Sequence, residues 1–375
     1  MPVPMLDLKA QYAQIKHEID AAVAEVFATQ QFRDGPVVEA FEARMAAYLG
    51  AAYGVAVASG TDALLLMLRA AGVQPGDEVI TSPFSFFATA GAIVNVGALP
   101  VFVDIDPVTF NLNPAAIEEA ITEKTRAILP VHVFGQCADM DPILRIGRKH
   151  GLVVVEDAAQ AVGAKYKGRH ACTLGVAGAL SFYPTKNLGA AGEGGMVITN
   201  SEKVAKAVRL LRCHGSVTQY HHDEVGVNSH LHAVQAAVLG VKLPYLDGWN
   251  ARRREVCAYY TENLEGLPGV VLPKVADHAE SVWHQYVIRL RHRDEALTVL
   301  RERGIGCGVF YPKPLHRQDC FAHLDCHRAY CPEADRACAE VLALPVFAEL
   351  TFDQQDEVIS AVRDHVAGAV AGAVS

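Results

Sequence analysis

Gly151-Leu152-Val153-Val154-Val155-Glu156-Asp157-Ala158-Ala159-Gln160 is the stretch that decides the fold of this 375-residue chain. An unbroken apolar run of strand length, opened by a glycine and closed by two carboxylates, reads as a parallel strand buried on both faces. Ligands of open α/β sheets gather at the carboxyl ends of such strands. Asp157 therefore stands where chemistry is expected, although the same residue could simply cap a helix beginning at Ala158.

Six more apolar runs surround it: Val55–Ala58, Glu78–Thr81, Pro100–Val103, Ala127–Val131, Ala179–Tyr183 and Met196–Thr199. Helical patterns such as Pro114–Ile121 and Pro142–His150 separate them. Alternation of this kind predicts a mostly parallel, doubly wound sheet. Leu243–Arg254, which contains Pro244 and Gly248, marks the change to a smaller carboxyl-terminal unit. In that unit Trp283–Leu290 reads as a strand, Asp294–Arg303 as a helix and Phe352–Val366 as a terminal helix.

The next landmark is Ser181-Phe182-Tyr183-Pro184-Thr185-Lys186-Asn187-Leu188-Gly189. A lysine amine condenses with an aldehyde, and a pyridoxal ring also needs an anion beside its ring nitrogen to remain an electron sink. Lys186 and Asp157 supply that pair. A phosphate cradle is the third requirement, and Ala58-Ser59-Gly60-Thr61-Asp62 before the helical run Ala63–Arg69 fits it. Free N–H groups and the dipole at a helix amino end favour a phosphate. Taken alone, each residue has an ordinary reading: a solvated lysine, a capping aspartate, a capped helix start.

These segments, taken in order, resemble the DegT/DnrJ/EryC1/StrS sugar aminotransferases. The resemblance extends over nearly the whole chain, through Pro4-Met5-Leu6-Asp7-Leu8-Lys9, Gly60-Thr61-Asp62-Ala63-Leu64, Thr81-Ser82-Pro83-Phe84-Ser85-Phe86, Phe102-Val103-Asp104-Ile105-Asp106, Glu156–Gln160, Lys186–Gly189, Gly192-Glu193-Gly194-Gly195, Gln235-Ala236-Ala237 and Tyr311-Pro312-Lys313-Pro314-Leu315-His316. It implies the fold type I architecture of pyridoxal-phosphate-dependent transferases. That architecture has a large, mostly parallel α/β sheet domain, here residues 1–250 with an amino-terminal helix included, and a smaller α+β domain, here residues 251–375.

The cofactor implied is pyridoxal 5'-phosphate. By the same resemblance Lys186 is the lysine that carries the cofactor and moves the substrate proton, and Asp157 is the partner of the ring nitrogen. Gln160 contacts the ring hydroxyl, Phe86 stacks on the ring, and Gly60, Thr61 and Ser181 hold the phosphate. Asn228 matches a residue that reaches the phosphate from a neighbouring subunit, which implies a homodimer with shared active sites. Tyr183, His222, His230 and His316 are the candidates for substrate contact. The reaction implied is amino transfer from L-glutamate, leaving 2-oxoglutarate, to a nucleotide-linked keto-sugar, in ping-pong fashion. The segment Tyr220-His221-His222 with Gly226-Val227-Asn228-Ser229 and Leu231 is similar to members that aminate C-3; amination at C-4 is the alternative. Relatives that remove a sugar hydroxyl replace the lysine with His, so Lys186 favours transamination. His230 stands where many relatives carry Arg, and a neutral or pH-dependent ring replaces a permanent bidentate cation there.

Rival classes remain to be weighed. A Rossmann dehydrogenase would need Gly-x-Gly-x-x-Gly after the first strand, and none is present. A non-catalytic pyridoxal-binding regulator shares the fold, which does not by itself dictate function. With 51% hydrophobic and 20% charged residues the composition is globular, and a formal charge of -9 speaks against a nucleic-acid partner. The absence of a long apolar run and of a basic-then-apolar leader leads to the expectation of a cytoplasmic protein with no membrane contact. Nine cysteines without close pairs read as reduced thiols. No metal is expected either from Cys320, Cys326, Cys331 and Cys338 with His316, His323 and His327, or from the group His214, His221, His222, His230 and His232.

Overall fold

A computed structural model describes residues 2–218, 220–324 and 329–374, with side chains up to residue 368. Seven strands form the main sheet: β1 (Tyr53–Val57), β2 (Glu78–Thr81), β3 (Leu99–Phe102), β4 (Thr125–Leu129), β5 (Val153–Asp157), β6 (Ala177–Ser181) and β7 (Gly195–Thr199). Their spatial order is β1-β7-β6-β5-β4-β2-β3. Neighbours from β6 through β3 run parallel, and β7 alone is antiparallel to both β1 and β6. All seven sequence-predicted strands are present.

Period-two alternation assigns each strand two apolar faces. Val55, Val57, Val79, Ala127, Leu129, Val155 and Val197 pack in one cluster with helices α3 (Gly60–Ala70), α4 (Ala88–Asn95) and Glu202–Leu211. Ala56, Ile80, Ile128, Val154, Leu180 and Ile198 pack on the other side with α2 (Gly35–Leu49), Met140–His150 and Ala233–Lys242. Near the end of β5 the same alternation sends Glu156 to the second face and Asp157 to the first.

Glu156 is consumed by structure. Its Oε2 accepts from His132 Nε2 and from the Cys172 N–H, each at 2.8 Å, and its Oε1 accepts from the Leu174 and Gly175 N–H groups at 2.8 and 2.7 Å. His132 Nδ1 accepts the Ala138 N–H at 3.1 Å, which leaves the proton on Nε2 for Glu156. The carboxyl end of β5 is thereby fixed from one face, while the other face is left to Asp157.

In the smaller unit, Val270–Val271, Tyr286–Leu290 and Val341–Leu344 form an antiparallel sheet. Its core runs from Val256 to Val366 and takes in Val3 from the start of the chain. Across Leu243–Arg254 the chain is continuous: a 3-10 turn at Leu243–Tyr245 leads directly into the helix Leu246–Leu264, because Pro244 occupies the first helical turn, where its missing N–H costs nothing. Two expectations are corrected here. Pro114–Ile121 forms two 3-10 turns instead of an α-helix. Trp283 takes a positive φ of 46°, so the strand expected from Trp283 begins only at Tyr286. Among the described residues no helix is long and apolar enough to cross a membrane.

Candidate active site

The carboxyl ends of β1, β5 and β6 open on the same edge of the sheet, and a cavity of about 470 Å³ lies there. Gly60, Thr61, Phe86, Asp157, Gln160, Ser181, Tyr183 and Lys186 all line it, so eight of the sequence-predicted site residues converge. Asp157 and Lys186 come from β5 and from the loop after β6.

Asp157 is 4% exposed. Its Oδ2 accepts from Thr89 Oγ1 at 2.7 Å, and its Oδ1 accepts from the Ala159 N–H at 3.2 Å. Ser85 Oγ lies 2.7 Å from Thr89 Oγ1; because Thr89 donates to the carboxylate, Ser85 donates to Thr89. Burial pushes the carboxyl above its ordinary range, and the Thr89 bond is the largest influence in the opposite direction. The two hydroxyls thus hold a buried anion ready for a cationic partner.

Lys186 hangs from a loop tied at several points. Its N–H donates to Tyr183 O at 2.8 Å, and the Ala190 and Phe182 N–H groups bond to Phe182 O and Gly194 O, each at 2.8 Å. Lys242 Nζ donates to Gly189 O at 2.8 Å from the buried side. The Lys186 amine has no hydrogen-bond partner among the described residues, and burial lowers its pKa to about 8 against the opposing charge of Asp157. An amine so poised is available near neutral pH both as nucleophile and as base.

The cradle is made by α3. Ser59 caps it by accepting the Asp62 N–H at 3.1 Å, which leaves the N–H groups of Gly60 and Thr61 at the cavity wall. A Cβ at Gly60 would lie 2.6 Å from Ser181 Cβ, so glycine permits the helix end and the end of β6 to approach. At Gly195 a Cβ would lie 2.2 Å from Ser59 O, for the same reason on the neighbouring strand. Gln160 is engaged on both sides: Oε1 accepts the Phe134 N–H and Nε2 donates to Tyr311 OH, each at 2.7 Å, with one amide N–H left over.

A helix amino end, a buried hydroxyl-bonded carboxylate and an unpaired lysine share one cavity. This donor set fits a pyridoxal ring with its phosphate.

A family model for the DegT/DnrJ/EryC1/StrS aminotransferase family matches residues 13–363. The chain belongs to that family. A Geobacillus stearothermophilus relative named pleiotropic regulatory protein is 52% identical over 97% of this chain and 98% of its own. An Acidithiobacillus ferrooxidans relative named UDP-N-acetyl-3-dehydro-alpha-D-glucosamine 3-aminotransferase is 44% identical, covering 96% of this chain and 97% of its own. The crystal structure of S. venezuelae DesV in complex with a ketimine intermediate superposes with a TM-score of 0.95 at 43% identity, covering 97% of this chain and 98% of that one. The protein is an aminotransferase of fold type I, and its cofactor is pyridoxal phosphate.

The remaining predicted site residues of this family member lie elsewhere. Asn228 and His230 line a second cavity of about 370 Å³, together with Phe32, Arg33, His232 and Gln235. His230 Nδ1 lies 2.9 Å from Asp34 Oδ1, and burial pushes the ring below its ordinary pKa despite that carboxylate. His222 is exposed on the short hairpin Ser216–Thr218/His221–His222, with Nδ1 3.0 Å from His214 O. His316 lines neither cavity: it is 1% exposed, makes no hydrogen bond through its ring, and packs near Phe102 with Asp335 3.7 Å away. In the single chain His316 is thus brought neither to the Lys186 cavity nor to the Asn228 cavity. Cys326 and His327 of the carboxyl-terminal Cys/His group lie outside the described residues, among which no three His, Cys, Asp or Glu side chains are arranged to hold a metal ion.

Sequence reasoning missed Thr89, His284 and Gln285, all of which line the Lys186 cavity. Thr89 carries no motif of its own and reaches Asp157 across 68 residues.

Proposed function

We propose that the protein transfers an amino group from L-glutamate to a nucleotide-linked keto-sugar at C-3, working as a homodimer whose two sites each draw residues from both subunits. The observation that carries the reading is the meeting of an unpaired, pKa-lowered Lys186 with a hydroxyl-clamped Asp157 in one cavity. The Acidithiobacillus relative, whose name describes 3-amination, supports the position.

When bound, pyridoxal phosphate supplies an aldehyde that takes up amines and a ring that draws electrons from the carbon beside the bound nitrogen. Lys186 would hold the aldehyde carbon and, once its amine is released, carry a proton off the donor carbon. Asp157 would face the ring nitrogen and keep it protonated, helped by the donations from Thr89 and Ala159. Gly60, Thr61 and Ser181 would take the phosphate, Gln160 would offer its remaining amide N–H to the ring hydroxyl, and Phe86 would cover a ring face. Tyr183, exposed and lining the same cavity, would contact the sugar. Asn228 opens into a different cavity from Lys186, and a second subunit is the source of an Asn228 at each site; His222 and His230 travel with it.

The testing experiment is a pair of half-reactions read by absorbance. L-glutamate is expected to convert the protein to its pyridoxamine form with release of 2-oxoglutarate, and a nucleotide-linked 3-keto-sugar is expected to restore the starting spectrum faster than its 4-keto isomer. Preference for the 4-keto isomer moves the site of amination to C-4. A spectrum unmoved by glutamate and by every keto-sugar favours a non-catalytic regulator, the role suggested by the name of the Geobacillus relative.

A further inference from the structure

Tyr311 lines the cavity that holds Lys186, and one neighbour, Phe134, governs both its ring and its hydroxyl. The rings of Phe134 and Tyr311 stack with centroids 6.5 Å apart and planes 19° from parallel, while Phe84 meets Tyr311 edge-on at 5.8 Å. The Phe134 N–H lies 2.7 Å from the end of the Gln160 side chain. A backbone N–H can only donate, so it meets the carbonyl oxygen Oε1, and the Gln160 atom 2.7 Å from Tyr311 OH is therefore Nε2. That nitrogen has no lone pair to offer. The phenol oxygen accepts from it, and the phenol keeps its own hydrogen for another partner.

No acceptor meets that hydrogen among the described residues, and the second hydrogen of Gln160 Nε2 is likewise free. Burial pushes the phenol above its ordinary range, against the Gln160 bond and together with the charge of nearby Asp157, so it stays protonated across neutral pH. The cavity wall thus presents two donors on neighbouring atoms with no acceptor for either. Such a pair calls for an oxygen with more than one lone pair, and a negative charge on that oxygen strengthens both bonds.

We propose that Tyr311 is a cofactor-binding residue: its O–H donates to the 3-oxygen of the pyridoxal ring, beside the remaining N–H of Gln160, and the two donors favour the form in which that oxygen is anionic. The inference rests on the reading that Gln160 faces the ring hydroxyl. The proton that leaves the oxygen moves to the nitrogen joining the cofactor to Lys186, so none is gained or lost. Protonated there, the nitrogen draws electrons from the adjacent carbon and readies it for an incoming amine. Tyr311 and Gln160 would in this way act on the ring oxygen as Asp157 acts on the ring nitrogen.

The charged groups lining the cavity with Tyr311 are Asp157, Lys186 and Glu193, so the test changes the ligand and leaves those charges in place. Full-length apoprotein is dialysed to equilibrium against pyridoxal 5'-phosphate and, separately, against 3-deoxypyridoxal 5'-phosphate, which lacks only the ring oxygen. Wild type is expected to favour the natural cofactor. Tyr311→Phe, which keeps the ring between Phe84 and Phe134, is expected to bind pyridoxal phosphate about tenfold or more weakly, since a hydrogen bond to a charged group is lost. Its affinity for the deoxy ligand is expected to stay close to that of wild type. Any disturbance of packing acts on both ligands and cancels in their ratio.

Equal weakening of the two ligands, or no weakening of either, overturns the proposal. If wild type discriminates between them and Tyr311→Phe discriminates as well, the placement of the ring hydroxyl at Gln160 stands and the role of Tyr311 falls. A wild type that binds both alike removes that placement and this inference with it. Absorbance gives a second reading: with pyridoxal phosphate bound, loss of the phenol should return the proton to the ring oxygen and move intensity from the longer-wavelength band to the shorter one, and an unchanged spectrum contradicts the effect on the oxygen. Neither measurement requires glutamate or a sugar, so failure here is distinct from failure of the transamination reading.

Discussion

Thr89→Val removes one hydroxyl and little volume, yet it strikes the group that holds Asp157 ionised. The bond from Thr89 Oγ1 to Asp157 Oδ2 is 2.7 Å long and buried, with Thr89 1% exposed. A hydrogen bond to a charged group contributes about 1.5–3 kcal/mol, and one pKa unit corresponds to about 1.4 kcal/mol. Burial already raises the Asp157 pKa, and Thr89 is the largest influence lowering it. Its loss should raise the pKa further. The carboxylate is the working form and exists above the pKa, so the raised value moves the loss of function on acidification to higher pH. The assay is cofactor affinity, followed with the glutamate half-reaction, as a function of pH in wild type and variant. The acid limb of both profiles is expected to shift to higher pH, with Thr89→Ser close to wild type and Ser85→Ala in between. A Thr89→Val profile that does not move, or that moves to lower pH, refutes the reasoning.

Gly60→Ala places a methyl 2.6 Å from Ser181 Cβ, and overpacking of about 1–3 kcal/mol should weaken cofactor binding roughly tenfold or more in equilibrium dialysis. His230→Arg substitutes a permanent charge for a ring whose pKa burial lowers; wild-type affinity for an anionic substrate should rise only on acidification below the ordinary histidine range, whereas the variant's should be flat with pH in the same titration. Inactive Lys186→Ala mixed with an inactive Asn228→Ala variant should recover activity in heterodimers, about a quarter of wild type if subunits assort at random and each restored site works independently. Sedimentation of a fully active monomer would remove the basis for that complementation.

The main sheet was legible because strands buried on both faces are written as continuous apolar runs, and each of the seven runs stood between turn signals. The site was legible where a residue lies at the end of such a strand or at a helix start: Asp157 closes β5, Ser181 closes β6, and Gly60 and Thr61 open α3. Thr89 and His284 were not legible, because their meaning arises only when α4 is laid beside β5 and when residue 284 is brought to Asn187, 97 positions earlier. A histidine after Pro-Leu carries no mark of whether it faces a ligand or the interior, and in the single chain His316 is buried beside Phe102. The change expected at Leu243–Arg254 was read from Pro244 and Gly248, and the chain passes through it on a helix, since a proline in a first turn starts a helix as readily as it ends one.

The most direct test of Lys186 as the cofactor-bearing amine is borohydride reduction of the holoprotein followed by peptide mass analysis. The account predicts that the reduced cofactor is fixed to the peptide containing Lys186, and that Lys186→Ala retains none. Fixation to another lysine, or an undiminished borohydride-stable adduct in Lys186→Ala, would contradict it.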